Sequence, residues 1–159
     1  MRRPSLHRIL TYNYAARGHS VPLPREKSHK RVSARRVATM TGLGRLAIGG
    51  AFLADPVTAV RVLGVDTASA KRMAFLARMA AARDIVLGAG ALLTRNPAAK
   101  AGWIAAGATA DVADAVVIRA AAKQGTAGPI PATAIAAGAL AAAAAGFWAA
   151  GDLYRSRLS

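Results

Sequence analysis

The chain has 159 residues, with 22 Lys or Arg against 7 Asp or Glu and a net charge of +15. It has no cysteine, which excludes disulfides, thiolate chemistry and Cys-based metal sites. Hydrophobic residues make up 54% and mean hydropathy is +0.30, but much of the apolarity is Ala, a weaker membrane signal than Leu or Ile.

Ten basic residues crowd the first 36 positions: Arg2, Arg3, Arg8, Arg17, Arg25, Lys27, Lys30, Arg31, Arg35 and Arg36. Glu26 is the only acid there, and no apolar run precedes a small-residue cleavage site. Residues 1–35 therefore read as a disordered, basic cytoplasmic tail. Met40 is an alternative start, which would leave residues 1–39 outside the native protein.

Four apolar segments follow within one domain, residues 36–154. The first spans about 37–54, with Arg45 its only charge. Asp55-Pro56 ends it, because Pro disfavours helix before itself and suits the first turn of a new one. Residues 56–63 predict a short interfacial helix stopped by Gly64, with Val57, Val60 and Leu63 at helical spacing. Asp66, Thr67 and Ser69 are candidate caps for a second span over about 73–93. Asn96-Pro97 turns the chain into a third, about 101–118. Gly125, Gly128, Pro129 and Pro131 mark the next loop. The fourth span, 131–151, lies in a stretch free of charge from Gly125 to Gly151, and a membrane helix needs about 20 apolar residues. The expected fold is an all-α, four-helix transmembrane bundle; a soluble Ala-rich bundle and a bundle of two or three spans with re-entrant pieces are the alternatives.

Lys and Arg set the orientation. With the N-terminus inside, the tail, Arg95, Lys100, Arg155 and Arg157 face the cytoplasm, against Arg61, Lys71, Arg72, Arg119 and Lys123 outside. Both termini are then cytoplasmic, and the chain is a multi-pass protein of the cytoplasmic (inner) membrane. Trp103 and Trp148 fall near the cytoplasmic interface, where amphipathic rings are favoured.

Arg45, Arg78, Arg83, Asp84, Asp111 and Asp114 lie inside these spans, three positive and three negative. Ionisable groups at bilayer depth are costly and usually paired or lining a polar cavity. At about 1.5 Å per residue, heights match Arg45 with Asp84, Arg83 with Asp111 and Arg78 with Asp114. Three such pairs across three helices are expected. Gly42, Gly44, Gly49 and Gly50 read as packing glycines, since no strand precedes them to make a phosphate-binding loop. Gly138, Ala142, Gly146 and Ala150 form a small-residue ladder on the fourth span and a candidate helix-contact face.

Other chemistries fit poorly. Asp111-x-x-Asp114 is similar to part of the metal-binding motif of CDP-alcohol phosphotransferases, but Ala115 stands where that family has Gly and no second Asp-x-x-x-Asp follows. His7, His19 and His29 all lie in the tail, so no Ser–His–Asp or Cys–His arrangement forms inside a bundle. No metal and no cofactor is expected. The tail suits anionic lipid headgroups better than nucleic acid, because a membrane anchor follows it directly.

Gly44-Arg45, Asp55-Pro56 through Gly64, Arg78, Arg83-Asp84 with Gly88, and Ala110-Asp111 with Asp114 form one pattern within residues 40–152. It resembles a family of small four-span membrane proteins of unknown function, broadly similar to DoxX-like bundles. The resemblance implies a four-helix membrane fold and carries no catalytic residues. The functional expectation is a non-enzymatic structural or accessory subunit with a protein partner or a second copy of itself. The alternatives are a small carrier or binding protein, using the charged centre for a polar ligand, ion or proton, and, third, a membrane enzyme.

Overall fold

Four of the five described helices begin at a side-chain cap. The computed structural model describes residues 33–156; the reading of residues 1–32 as a tail, and of what that tail binds, lies outside them. Five α-helices occur among the described residues: α1 (Ala34–Ala54), α2 (Pro56–Arg61), α3 (Thr67–Leu93), α4 (Pro97–Lys123) and α5 (Pro129–Arg155). Ser33 caps α1, Asp55 caps α2, Asp66 caps α3 and Asn96 caps α4, each side chain accepting from backbone N–H groups of the first turn. Pro56, Pro97 and Pro129 occupy the first helical position, where the missing N–H is harmless.

The exposed capping carboxylates titrate low. The Asp55 carboxyl lies below its ordinary value because Thr58 hydrogen-bonds to it. That of Asp66 is lowered first by the Ser69 side chain, then by the Ser69 and Ala68 amides and by Arg72.

Two glycines terminate helical stretches with positive φ, Gly64 at +78° and Gly125 at +71°. At Gly64 a close approach adds to the constraint: a Cβ there would meet the Gly128 backbone at 3.2 Å. The Gly128 N–H donates to the Leu63 carbonyl at 2.9 Å, tying the loop before α3 to the loop before α5. These loops therefore share one end of the bundle, and the Thr94–Asn96 turn lies at the other.

The four long helices alternate in direction and form a ring. α1 packs on α3, α4 packs on α5, and the α1–α5 and α3–α4 contacts close it; α3 and α5 do not touch. One apolar cluster joins Ala34, Ala38, Ala91, Ala101, Ile104 and Leu153 near the Thr94 end. A second, with Val60, Ala70 and Ala77, fills the opposite end under α2.

The interior is small and the exterior large. Ala and Gly dominate the buried positions, and Ile104 is the one large side chain that is fully buried among the described residues. Phe75, Leu76, Met79, Val86, Val116, Val117, Ile130 and Phe147 are all exposed. A water-soluble core places its large apolar groups the other way round.

Three helices, α1, α4 and α5, are long and apolar enough to cross a membrane. The second expected span lies within α3 and is not among them. α3 carries Lys71, Arg72, Arg78, Arg83 and Asp84, and these charges hold its apolarity below that of the others. All four long helices start before the expected spans, and α4 and α5 also end beyond them; the added turns of α1, α3 and α4 carry polar or charged residues that the apolar pattern does not register.

Candidate functional site

Arg45 is the one charged residue buried among the described residues, 7% exposed, midway along α1. The buried stripe of α1 runs Ala38, Gly42, Arg45, Gly49, spacings of four and three that keep one helix face toward its neighbours. Gly42, Gly49 and Gly88 bring α1 and α3 together: a Cβ on Gly88 would lie 2.7 Å from the Gly42 carbonyl oxygen, and one on Gly49 would lie 2.8 Å from that of Ala81. Gly44 and Gly50, also read as packing glycines, face open space.

From this close seam the Arg45 guanidinium reaches two other helices. Its Nη1 donates to Asp84 Oδ1 on α3 at 2.8 Å. Its Nη2 donates to the Gly107 carbonyl oxygen on α4 at 2.6 Å and stands 2.6 Å from Asp111 Oδ2. Gly107 makes room for this, since a Cβ there would sit 2.8 Å from Arg45 Nε. The planar fork of Arg suits such divided donation; the single ammonium of Lys does not.

Arg83 continues the network outward. It donates twice to Asp114, Nη1 to Oδ1 at 3.2 Å and Nη2 to Oδ2 at 2.6 Å, the bidentate pairing that combines charge with fixed geometry. It also reaches Asp84 Oδ1, with Nη2 at 3.3 Å. The result is one chain: Asp111–Arg45–Asp84–Arg83–Asp114. Side-chain exposure rises along it, from 8% at Arg45 to 36% at Arg83 and 42% at Asp114.

Of the three expected pairs, Arg45 with Asp84 forms. Arg83 pairs with Asp114 rather than Asp111, and Asp111 pairs with Arg45. Arg78 is exposed and makes no ion pair among the described residues. Direction around the axis explains all three outcomes. At about 100° per residue, Arg78 points roughly 140° away from Arg83, so matched height with Asp114 does not bring them together. Asp111 and Asp114 differ by roughly 60°, which turns one toward α1 and the other toward α3.

The α5 ladder divides in the same way. Gly146 and Ala150 are buried, and a Cβ on Gly146 would lie 3.0 Å from Ala108 Cβ on α4. Gly138 and Ala142 are exposed, with nothing within 4 Å of the Gly138 position. Steps of four residues rotate by roughly 40° each, so a ladder three steps long cannot stay on one face of a straight helix. Gly107 was missing from the sequence-derived centre. Its signal was a glycine four residues before Asp111, on the same face.

Among the described residues, no group of three or more His, Cys, Asp or Glu is placed to hold a metal ion. Each network carboxylate instead faces a guanidinium within 3.3 Å. The arrangement can hold helices in register, or hold charge; it presents no activated nucleophile. No family model matches the chain, nor does any curated protein or solved structure.

Proposed function

We propose that this is a four-span integral membrane protein, non-enzymatic, acting as a structural or accessory subunit, with the Arg–Asp network as an internal lock. The observation that carries the reading is the inverted distribution of side chains, small residues inside and large apolar ones outside. In lipid that arrangement is favourable, because small residues let helix backbones approach while large ones meet acyl chains.

On this reading α3 spans as well. Its 27 residues equal α4 and α5 in length. At about 1.5 Å per residue this is roughly 40 Å, more than the hydrocarbon core needs. Ala70 and Ala77 reach one apolar cluster and Ala91 the other, so α3 runs the height of the bundle. Arg83 and Asp84 are compensated within the network. The exposed Arg78 lies 11 residues, about 16 Å, from the start of α3, and this reading requires its long side chain to extend toward that interface. Both termini are then cytoplasmic, as the distribution of basic residues favours. Membership of the small four-span, DoxX-like family that the motifs resemble belongs to the same proposal.

Native mass spectrometry of the full chain from nanodiscs tests the accessory role. A co-purifying protein or a defined homo-oligomer is expected. A monomer carrying a stoichiometric small polar molecule would replace this reading with that of a carrier, for which the outward opening of the network at Arg83 and Asp114 is the favouring observation.

A further inference from the structure

The network does not balance its own charge. It joins two cations, Arg45 and Arg83, to three anions, Asp84, Asp111 and Asp114. No neighbouring helix supplies the missing positive charge. On α1, Arg35 and Arg36 lie nine or more residues before Arg45. On α3, Lys71 and Arg72 are exposed near its start and Arg78 is exposed without an ion pair. On α4, Lys100, Arg119 and Lys123 lie toward its ends. On α5 no charged residue occurs before Asp152, near its end.

An unbalanced charge in a low-dielectric interior is costly, and such groups neutralise rather than remain ionised. A metal cation would have to approach carboxylates that already face guanidinium groups within 3.3 Å, against direct repulsion. A proton needs no coordination shell and adds directly to a carboxylate oxygen.

The three carboxylates are not equivalent. Asp84 Oδ1 is approached by both arginines. Asp114 holds two nitrogens of Arg83. Asp111 faces only the Arg45 Nη2, and that nitrogen also donates to the Gly107 carbonyl. Asp111 therefore receives the least compensation.

We propose that the Arg–Asp network is a proton-binding site that holds one proton at neutral pH on the Asp111 carboxyl. One hydronium ion from the bulk gives its proton to Asp–COO⁻, forming Asp–COOH and water, with no electron transferred. The Asp111 side chain is itself 17% exposed, and the proton exchanges directly at that carboxyl. The inference rests on the membrane reading, since the same cluster in water would tolerate its residual charge.

Infrared spectroscopy of the full chain in lipid nanodiscs at neutral pH tests it. A protonated-carboxyl C=O band that shifts in heavy water is expected. Asp111→Asn abolishes the band. Asp114→Asn also abolishes it, because two cations then face two anions and Asp111 ionises. Circular dichroism of each variant reports whether the helices persist. A wild-type protein without the band, or a band that survives Asp111→Asn or Asp114→Asn in a folded variant, overturns the proposal. Recovery of the protein in the soluble fraction overturns the membrane reading instead, so the two failures are distinguishable.

Discussion

Arg45 organises the interior because a single guanidinium binds two other helices at once. Removing one partner of a buried charge set leaves uncompensated charge and costs about 3–5 kcal/mol. Arg45→Ala is therefore expected to destabilise the bundle by about that amount in denaturant titration from mild detergent. Arg45→Lys should restore only part of the loss, since one ammonium cannot serve Asp84, Asp111 and the Gly107 carbonyl together. Gly107→Ala should cost about 1–3 kcal/mol, because its methyl would displace the guanidinium it lies against. Gly138→Ala is the control: with open space around it, the change should be neutral or stabilising by up to about 1 kcal/mol through helix propensity. At this scale the sequence revealed which ionisable residues interrupt the apolar stretches, because charge inside an apolar run is conspicuous. It did not reveal which of them meet. Height along a helix can be counted from residue numbers, whereas direction around the axis depends on how each helix is turned toward its neighbours, and that is why Arg78 was misplaced.

The helices themselves were legible through their starts. Asp55-Pro56, Asp66 and Asn96-Pro97 each combine a short polar side chain with a residue suited to the first turn, and each caps a helix in the structure. The far ends were less legible, because the terminal turns of α4 and α5 carry Arg119, Lys123 and Arg155 and fade from the apolar pattern. The caps give a pH prediction. The folded-state values of Asp55 and Asp66 are lowered, so the stability they contribute is present above the ordinary carboxylate range, about 3.9, and is lost as pH falls through the folded values. The thermal midpoint should accordingly drop as pH falls below about 4. Asp66→Asn keeps a capping oxygen and should flatten that drop, while Asp66→Ala should lower the midpoint at every pH. Thermal melts followed by circular dichroism across that range check both.

At the scale of the molecule, composition alone was ambiguous, because Ala suits a soluble bundle and a membrane bundle alike. The arrangement is more informative: Ala and Gly fill the centre, and Phe75, Val86, Val116 and Phe147 face outward. The number of spans was the least legible feature: Arg83 and Asp84, which join the network, add to Lys71, Arg72 and Arg78 and hold α3 below the apolarity of a candidate span. The central claim, that four antiparallel helices cross a bilayer with the Arg–Asp network between them, is most directly tested by cysteine accessibility in sealed vesicles. The chain has no native cysteine, so every introduced one is a single reporter. Cysteines replacing Phe75, Val86, Val116 and Phe147 should resist a membrane-impermeant maleimide, while those at Gly125 and Asn96 should react from opposite faces. Rapid aqueous labelling at Val86 and Val116, or labelling of Gly125 and Asn96 from the same face, would contradict it.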